Sequence, residues 1–146
     1  MEPVHIPTNA LVLVSDGRRA RLLRNQGTPR NPQLIIEHSL EQVNPATRDQ
    51  GTDKPGRRHG GGSAQGAIEQ TDFHQQQERR FAAEIAEMLY KLGHAGRYEE
   101  LVVVAPPKML GDLRAQFHPE VTGAVVAEVP RDLTTYSVPE ISRLLS

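Results

Sequence analysis

Between Lys54 and Gly66 the chain carries Lys54, Arg57 and Arg58 and no acidic residue. His59 and Gln65 add hydrogen-bonding groups, and Gly60, Gly61 and Gly62 stand between them. This set suits a polyanion. Arginine grips phosphate with paired N–H donors, and glycine lets the backbone approach closely. It describes an RNA-facing arm. The same charges also suit a solvated loop, the commoner use of a short charge run. The triple glycine is not a nucleotide-binding phosphate loop, because no Lys-Ser/Thr follows it and it does not directly join a strand to a helix.

Carboxylates are the second candidate chemistry. Asp16, Glu128 and Asp132 fall at strand ends and Asp112 on a helix. A nuclease built on two metal ions needs several such groups to converge. Asp16 is already explained as a turn residue, and Asp132 as a local cap of backbone groups. The six histidines, His5, His38, His59, His74, His94 and His118, include no pair at i,i+4, so they read as surface or capping residues and no metal site is expected. No Gly-x-Ser-x-Gly elbow is present. No cofactor is implied.

A third feature is a row of arginines. Arg19 and Arg21 share one face of an alternating run, with Arg24 near its end. Such a row either binds phosphate or protects an edge strand from pairing with another chain. Edge protection is the preferred reading.

The elements that must position these residues follow from the apolar pattern. Ala10–Val14 is a continuous apolar run, read as a strand buried on both faces. Asp16-Gly17 then predicts a hairpin turn with positive φ at both central positions. Arg19–Arg24 and Gln33–Gln42 are the second and third strands, which makes an antiparallel meander. From Val43 to about Thr71 the apolar pattern vanishes among prolines and glycines, so a mobile loop is expected over about 43–72. Asp72 and Gln75 form a capping box opening a long helix with Phe81, Ile85, Met88, Leu89 and Leu92 on one stripe. Gly93 is its expected stop. Leu101–Ala105 is a fourth strand, Pro106-Pro107 opens a helix, and Ala124–Val129 is a fifth strand. Ser137-Val138-Pro139-Glu140 caps a final helix. The order β-β-β-α-β-α-β-α gives a mixed five-stranded α/β sheet of ribonuclease-H-like architecture.

The 146 residues suit one domain. With 17 Lys+Arg against 18 Asp+Glu, net charge gives no argument for nucleic acid, so any such argument must be local. Cysteine is absent, which excludes disulfides, thiolate metal sites and cysteine nucleophiles and leans towards the cytoplasm. Met1–Pro7 does not read as a signal peptide, and no apolar run is long enough to span a bilayer.

Several blocks resemble one bacterial family. They are Leu13-Val14-Ser15-Asp16-Gly17-Arg18-Arg19-Ala20-Arg21-Leu22, Asp53-Lys54-Pro55-Gly56-Arg57 and Phe81-Ala82-Ala83-Glu84-Ile85-Ala86. Leu101-Val102-Val103-Val104-Ala105-Pro106-Pro107 and Val129-Pro130-Arg131-Asp132-Leu133-Thr134 complete the set. The ordered blocks resemble the host attachment proteins, described as required for attachment to host cells. Asp16, Gly17, Arg19, Arg21 and Asp132 are the family-motif residues. That family is similar in fold to the central domain of archaeal and eukaryotic release factors and of Pelota. In release factors the corresponding loop ends in a Gly-Gly-Gln tip that enters the ribosomal peptidyl-transferase centre. Here two residues separate Gly62 from Gln65. Pelota-like proteins lack the tripeptide and still bind ribosomes.

The resemblance therefore implies a non-catalytic RNA-binding module that engages the ribosome through Lys54, Arg57, Arg58, His59, Gly60, Gly61, Gly62 and Gln65. One alternative is a cytoplasmic protein–protein adaptor indirectly required for host attachment. The other is an enzyme, either a peptidyl-tRNA hydrolase using Gln65 or a nuclease using Asp16 and Asp132. The residues leave oligomeric state open.

Overall fold

The computed structural model describes residues 4–42 and 63–146, and over 63–71 the backbone alone. Strands β1 (Leu11–Ser15), β2 (Arg19–Asn25) and β3 (Leu34–Glu41) form the antiparallel meander. After them come α1 (Ser63–His94), β4 (Leu101–Val104), α2 (Pro107–Gln116), α3 (Pro119–Ala124), β5 (Val125–Val129) and α4 (Val138–Leu145). All five strands join one mixed sheet in the order β3-β2-β1-β4-β5, with β1, β4 and β5 parallel.

The element order departs from expectation by one helix, α3. It has six residues and buries Val121 alone, too little to leave an apolar period in the sequence. Pro119 in its first turn and the His118 ring accepting from the Glu120 N–H start it.

Alternation in the strands builds two apolar layers. Leu11 and Leu13 of β1, with Ala20 and Leu22 of β2, face α1 and α2. There Phe81, Ile85 and Leu89 are fully buried, worth about 2 kcal/mol each in transfer free energy. Val12 and Val14, with Leu23, face Ile6, Leu133 and the Ile141 and Leu145 side chains of α4. The Ser137–Glu140 capping box that starts α4 forms as expected.

Four expectations are corrected. The long helix starts at Ser63, not Asp72. Asp72 is therefore interior, and residues 63–72 are helix where a loop was expected. Gly93 lies within the last turn. The stop is Gly96, whose φ is +73°. Arg97 N–H bonds Leu92 O and Gly96 N–H bonds Gly93 O, the Schellman pattern one turn further on. A Cβ at Gly93 would stand 3.1 Å from the Tyr98 hydroxyl, which explains that glycine by packing.

In the hairpin, neither Asp16 nor Gly17 has positive φ. The Asp16 carboxylate instead takes the N–H groups of Arg18 and Arg19 at 2.8 and 2.7 Å, a side-chain turn that needs no left-handed residue. Finally, β2 is interior, flanked by β1 and β3. Its arginines do not protect an edge.

Helix α1 is far longer than the sheet it covers. Its 32 residues span about 48 Å, whereas the five of β1 span about 17 Å. The first α1 residue in the apolar core, among those whose side chains are described, is Phe81, and Glu78 meets Gly17 just beyond the end of β1. The excess length therefore extends past the carboxyl ends of the parallel strands. No helix among the described residues is long and apolar enough to cross a membrane.

Candidate functional site

In open α/β sheets, ligands bind outside the carboxyl ends of the strands. Here that end is built by the turn after β1, the residues after β5, the start of α2 and the end of β3. Gln42 N–H bonds Arg18 O at 2.7 Å, so β3 leaves the sheet directly beside the β1–β2 turn. Residues 43–62 connect this point to α1. Lys54, Arg57, Arg58, His59, Gly60, Gly61 and Gly62 lie outside the described residues. Gln65 is the third residue of α1, so its backbone is helical and not part of a loop tip.

The other family-motif residues meet around the segment after β5. Thr134 Oγ stands 3.0 Å from Asp16 Oδ2 and 2.6 Å from Asp132 Oδ1. A hydroxyl has one proton, so it donates to one carboxylate at a time, and the shorter contact favours Asp132. Asp132 Oδ1 also accepts the Thr134 N–H at 3.0 Å. From β2, Arg21 Nη2 reaches the carbonyls of Leu133, Thr134 and Tyr136 at 3.3, 2.8 and 2.9 Å. Asp16, Arg21 and Asp132 thus brace one irregular segment by bonding its backbone and hydroxyl groups.

Burial, and secondarily Arg19, lowers the Arg21 pKa. Gly17 has a separate reason. A Cβ there would stand 2.6 Å from Glu78 Oε2, and Glu78 in turn pairs with Lys108 at 3.3 Å.

These contacts count against the two-metal nuclease. Both Asp16 oxygens and Asp132 Oδ1 are taken up by backbone N–H groups and Thr134. Asp112 pairs with Lys108 at 3.7 Å, and Glu128 is held by Arg114. No group of three or more potential ligands that could hold a metal ion occurs among the described residues. Of the histidines, His118 caps α3 and packs its ring 4.3 Å from that of Tyr90.

Three residues escaped the sequence reading. Thr134 is the hub of the carboxylate contacts, and its signal was Asp132 two positions before a hydroxyl residue, a local turn pattern. Ser39 stands opposite Arg21, and Glu41 opposite Arg19, on the same face of the sheet. Together with Thr134 they wall an open cleft of about 410 Å³. Register alone decides that grouping.

No curated protein matches the chain. One family model does, over residues 9–145, and it is that of bacterial archaeo-eukaryotic release factor family 12. The match supports the release-factor likeness, and nothing in it concerns attachment to host cells. Because it spans nearly the whole chain, the protein belongs to bacterial archaeo-eukaryotic release factor family 12.

Proposed function

We propose that this protein is a non-catalytic RNA-binding module that engages the ribosome through the basic, glycine-rich segment between β3 and α1. The observation that carries this reading is the release-factor family match, which spans that segment. The fold supplies a physical reason for it. A long helix extending past the sheet is a stiff support for a segment that must reach a recessed partner. Lys54, Arg57 and Arg58 bind RNA phosphates, and the glycines let the backbone conform to them. Placing Gln65 within a helix, two residues from the triplet, favours binding over hydrolysis.

The test is co-sedimentation with bacterial ribosomes at low and moderate salt. Wild type is expected to sediment in a salt-sensitive manner, because each phosphate contact releases counterions. Lys54→Glu/Arg57→Glu/Arg58→Glu is expected to stay in the supernatant. Sedimentation equal to wild type in that variant would remove the segment from the mechanism. No sedimentation of wild type would remove the ribosome.

A further inference from the structure

The β2–β3 register places Arg19, Arg21, Ser39 and Glu41 on one face of the sheet, with Arg19 opposite Glu41 and Arg21 opposite Ser39. The turn at Thr134 closes the third side and leaves a cleft of about 410 Å³. The geometry points to a phosphate-binding site in this cleft, with Arg19, Arg21 and Ser39 as donors, which takes a phosphodiester of RNA or a free phosphate group.

Three observations support it. First, Arg21 is held by the carbonyls of Leu133, Thr134 and Tyr136 through Nη2 alone. Its Nε and Nη1 donors fall outside those bonds, on a guanidinium that needs no further ordering to bind. Second, Arg19 is exposed and makes no side-chain hydrogen bond or ion pair among the described residues. It lies close enough to Arg21 to depress its pKa, after burial the second cause. Two guanidiniums that repel one another are both stabilised by an anion between them. Third, β2 is interior, so edge protection does not account for the row. Thr134 is a wall and not a donor, because its single proton serves Asp16 or Asp132.

Glu41 makes the proposal sharp. Its carboxylate lines the same cleft and opposes any anion there. Removing that charge must therefore tighten binding, while removing Arg19 must weaken it. Ser39→Ala changes no charge, so a loss of binding there separates a built site from general attraction of an anion to a basic surface.

The ribosome reading bears only on where the phosphate comes from, so the experiment uses isolated protein without ribosomes. Binding is measured by arginine Nε–H and backbone amide NMR shifts, with inorganic phosphate in one arm and a single-stranded RNA 12-mer in the other. Wild type, Arg19→Ala, Ser39→Ala and Glu41→Gln are compared, all altered at exposed or partly exposed positions.

Arg19→Ala is expected to weaken binding about tenfold, as for a lost charge-assisted hydrogen bond. Ser39→Ala should weaken it about threefold, and Glu41→Gln should tighten it about threefold. Arg19 dependence in the RNA arm, with a salt slope lower by about 0.7 in Arg19→Ala, assigns the site to the nucleic-acid backbone. Dependence confined to inorganic phosphate assigns it to a small phosphate ligand. Binding that is absent, or indifferent to Arg19 and Glu41 in both arms, overturns the proposal, whatever the ribosome experiment gives.

Discussion

The two ends of β2 both carry arginine, and they use it in opposite ways. At the end near Asn25, Arg24 spends its donors on protein. Nε and Nη2 grip the two oxygens of Glu37 at 2.7 and 3.0 Å. Nη1 and Nη2 also reach the carbonyls of Asn9 and Arg97, each at 2.8 Å. Beside it the buried Asn25 side chain donates to Ile6 O and accepts from the Gly27 and Gln33 N–H groups. At the other end Arg21 is half used, and Arg19 is not used at all among the described residues. An arginine with all three nitrogens engaged by protein holds the fold together, whereas one left open beside a cleft is available to a ligand.

Substitutions that separate the two ends should rank accordingly. Asn25→Ala carries the largest cost, about 3 kcal/mol, because it strands buried donors and an acceptor; urea denaturation measures it. Arg24→Ala follows at about 2 kcal/mol, from a charge-assisted pair and two orphaned carbonyls. A double-mutant cycle with Glu37→Gln isolates the pair itself.

That pair also predicts a pH dependence. The hydrogen bond from Arg24 is the main cause that holds the Glu37 carboxyl below its ordinary value of 4.5. A folded-state pKa below the unfolded one stabilises the protein above the unfolded value, and the gain is lost as pH falls through the folded one. The stability gap between wild type and Glu37→Gln should therefore be full near neutrality and close progressively below about pH 4.5. A gap that stayed constant in acid would mean that Glu37 contributes through shape, not charge.

At the open end the effects on stability shrink. Thr134→Val removes the hydroxyl that links Asp16 and Asp132, for about 1 kcal/mol. Arg19→Ala should change thermal stability by less than about 0.5 kcal/mol while weakening phosphate binding. If Arg19→Ala instead destabilised the protein as strongly as Arg24→Ala, the contrast between the two ends would collapse.

What could be read from the sequence was whatever leaves a local pattern. The run Ala10–Val14, the stripe from Phe81 to Leu92 and the Ser137–Glu140 box all became the expected elements, because burial period and capping act within a few residues. The start of α1 was not legible, since the stretch from Ser63 to Thr71 has no apolar stripe to announce a helix. Nor was the role of Arg21. Its partners are backbone carbonyls 112 to 115 positions away, and a carbonyl has no residue type. The motif residues Asp16 and Asp132 were noticed as a set, but their link through Thr134 spans 118 positions and depends on topology. Lys54, Arg57 and Arg58 stand out by composition, since no acidic residue lies between Lys54 and Gly66.

Helix α1 carries one more consequence, a matter of phase. Each residue inserted ahead of Phe81 turns the start of the helix by about 100° and lengthens it by about 1.5 Å. Seven residues bring it back to within about 20° of its original direction, roughly 10 Å further out. Distance and bearing can thus be varied independently, as on a threaded rod. Insertions of one residue and of seven would show whether the segment before Ser63 must be aimed or merely extended.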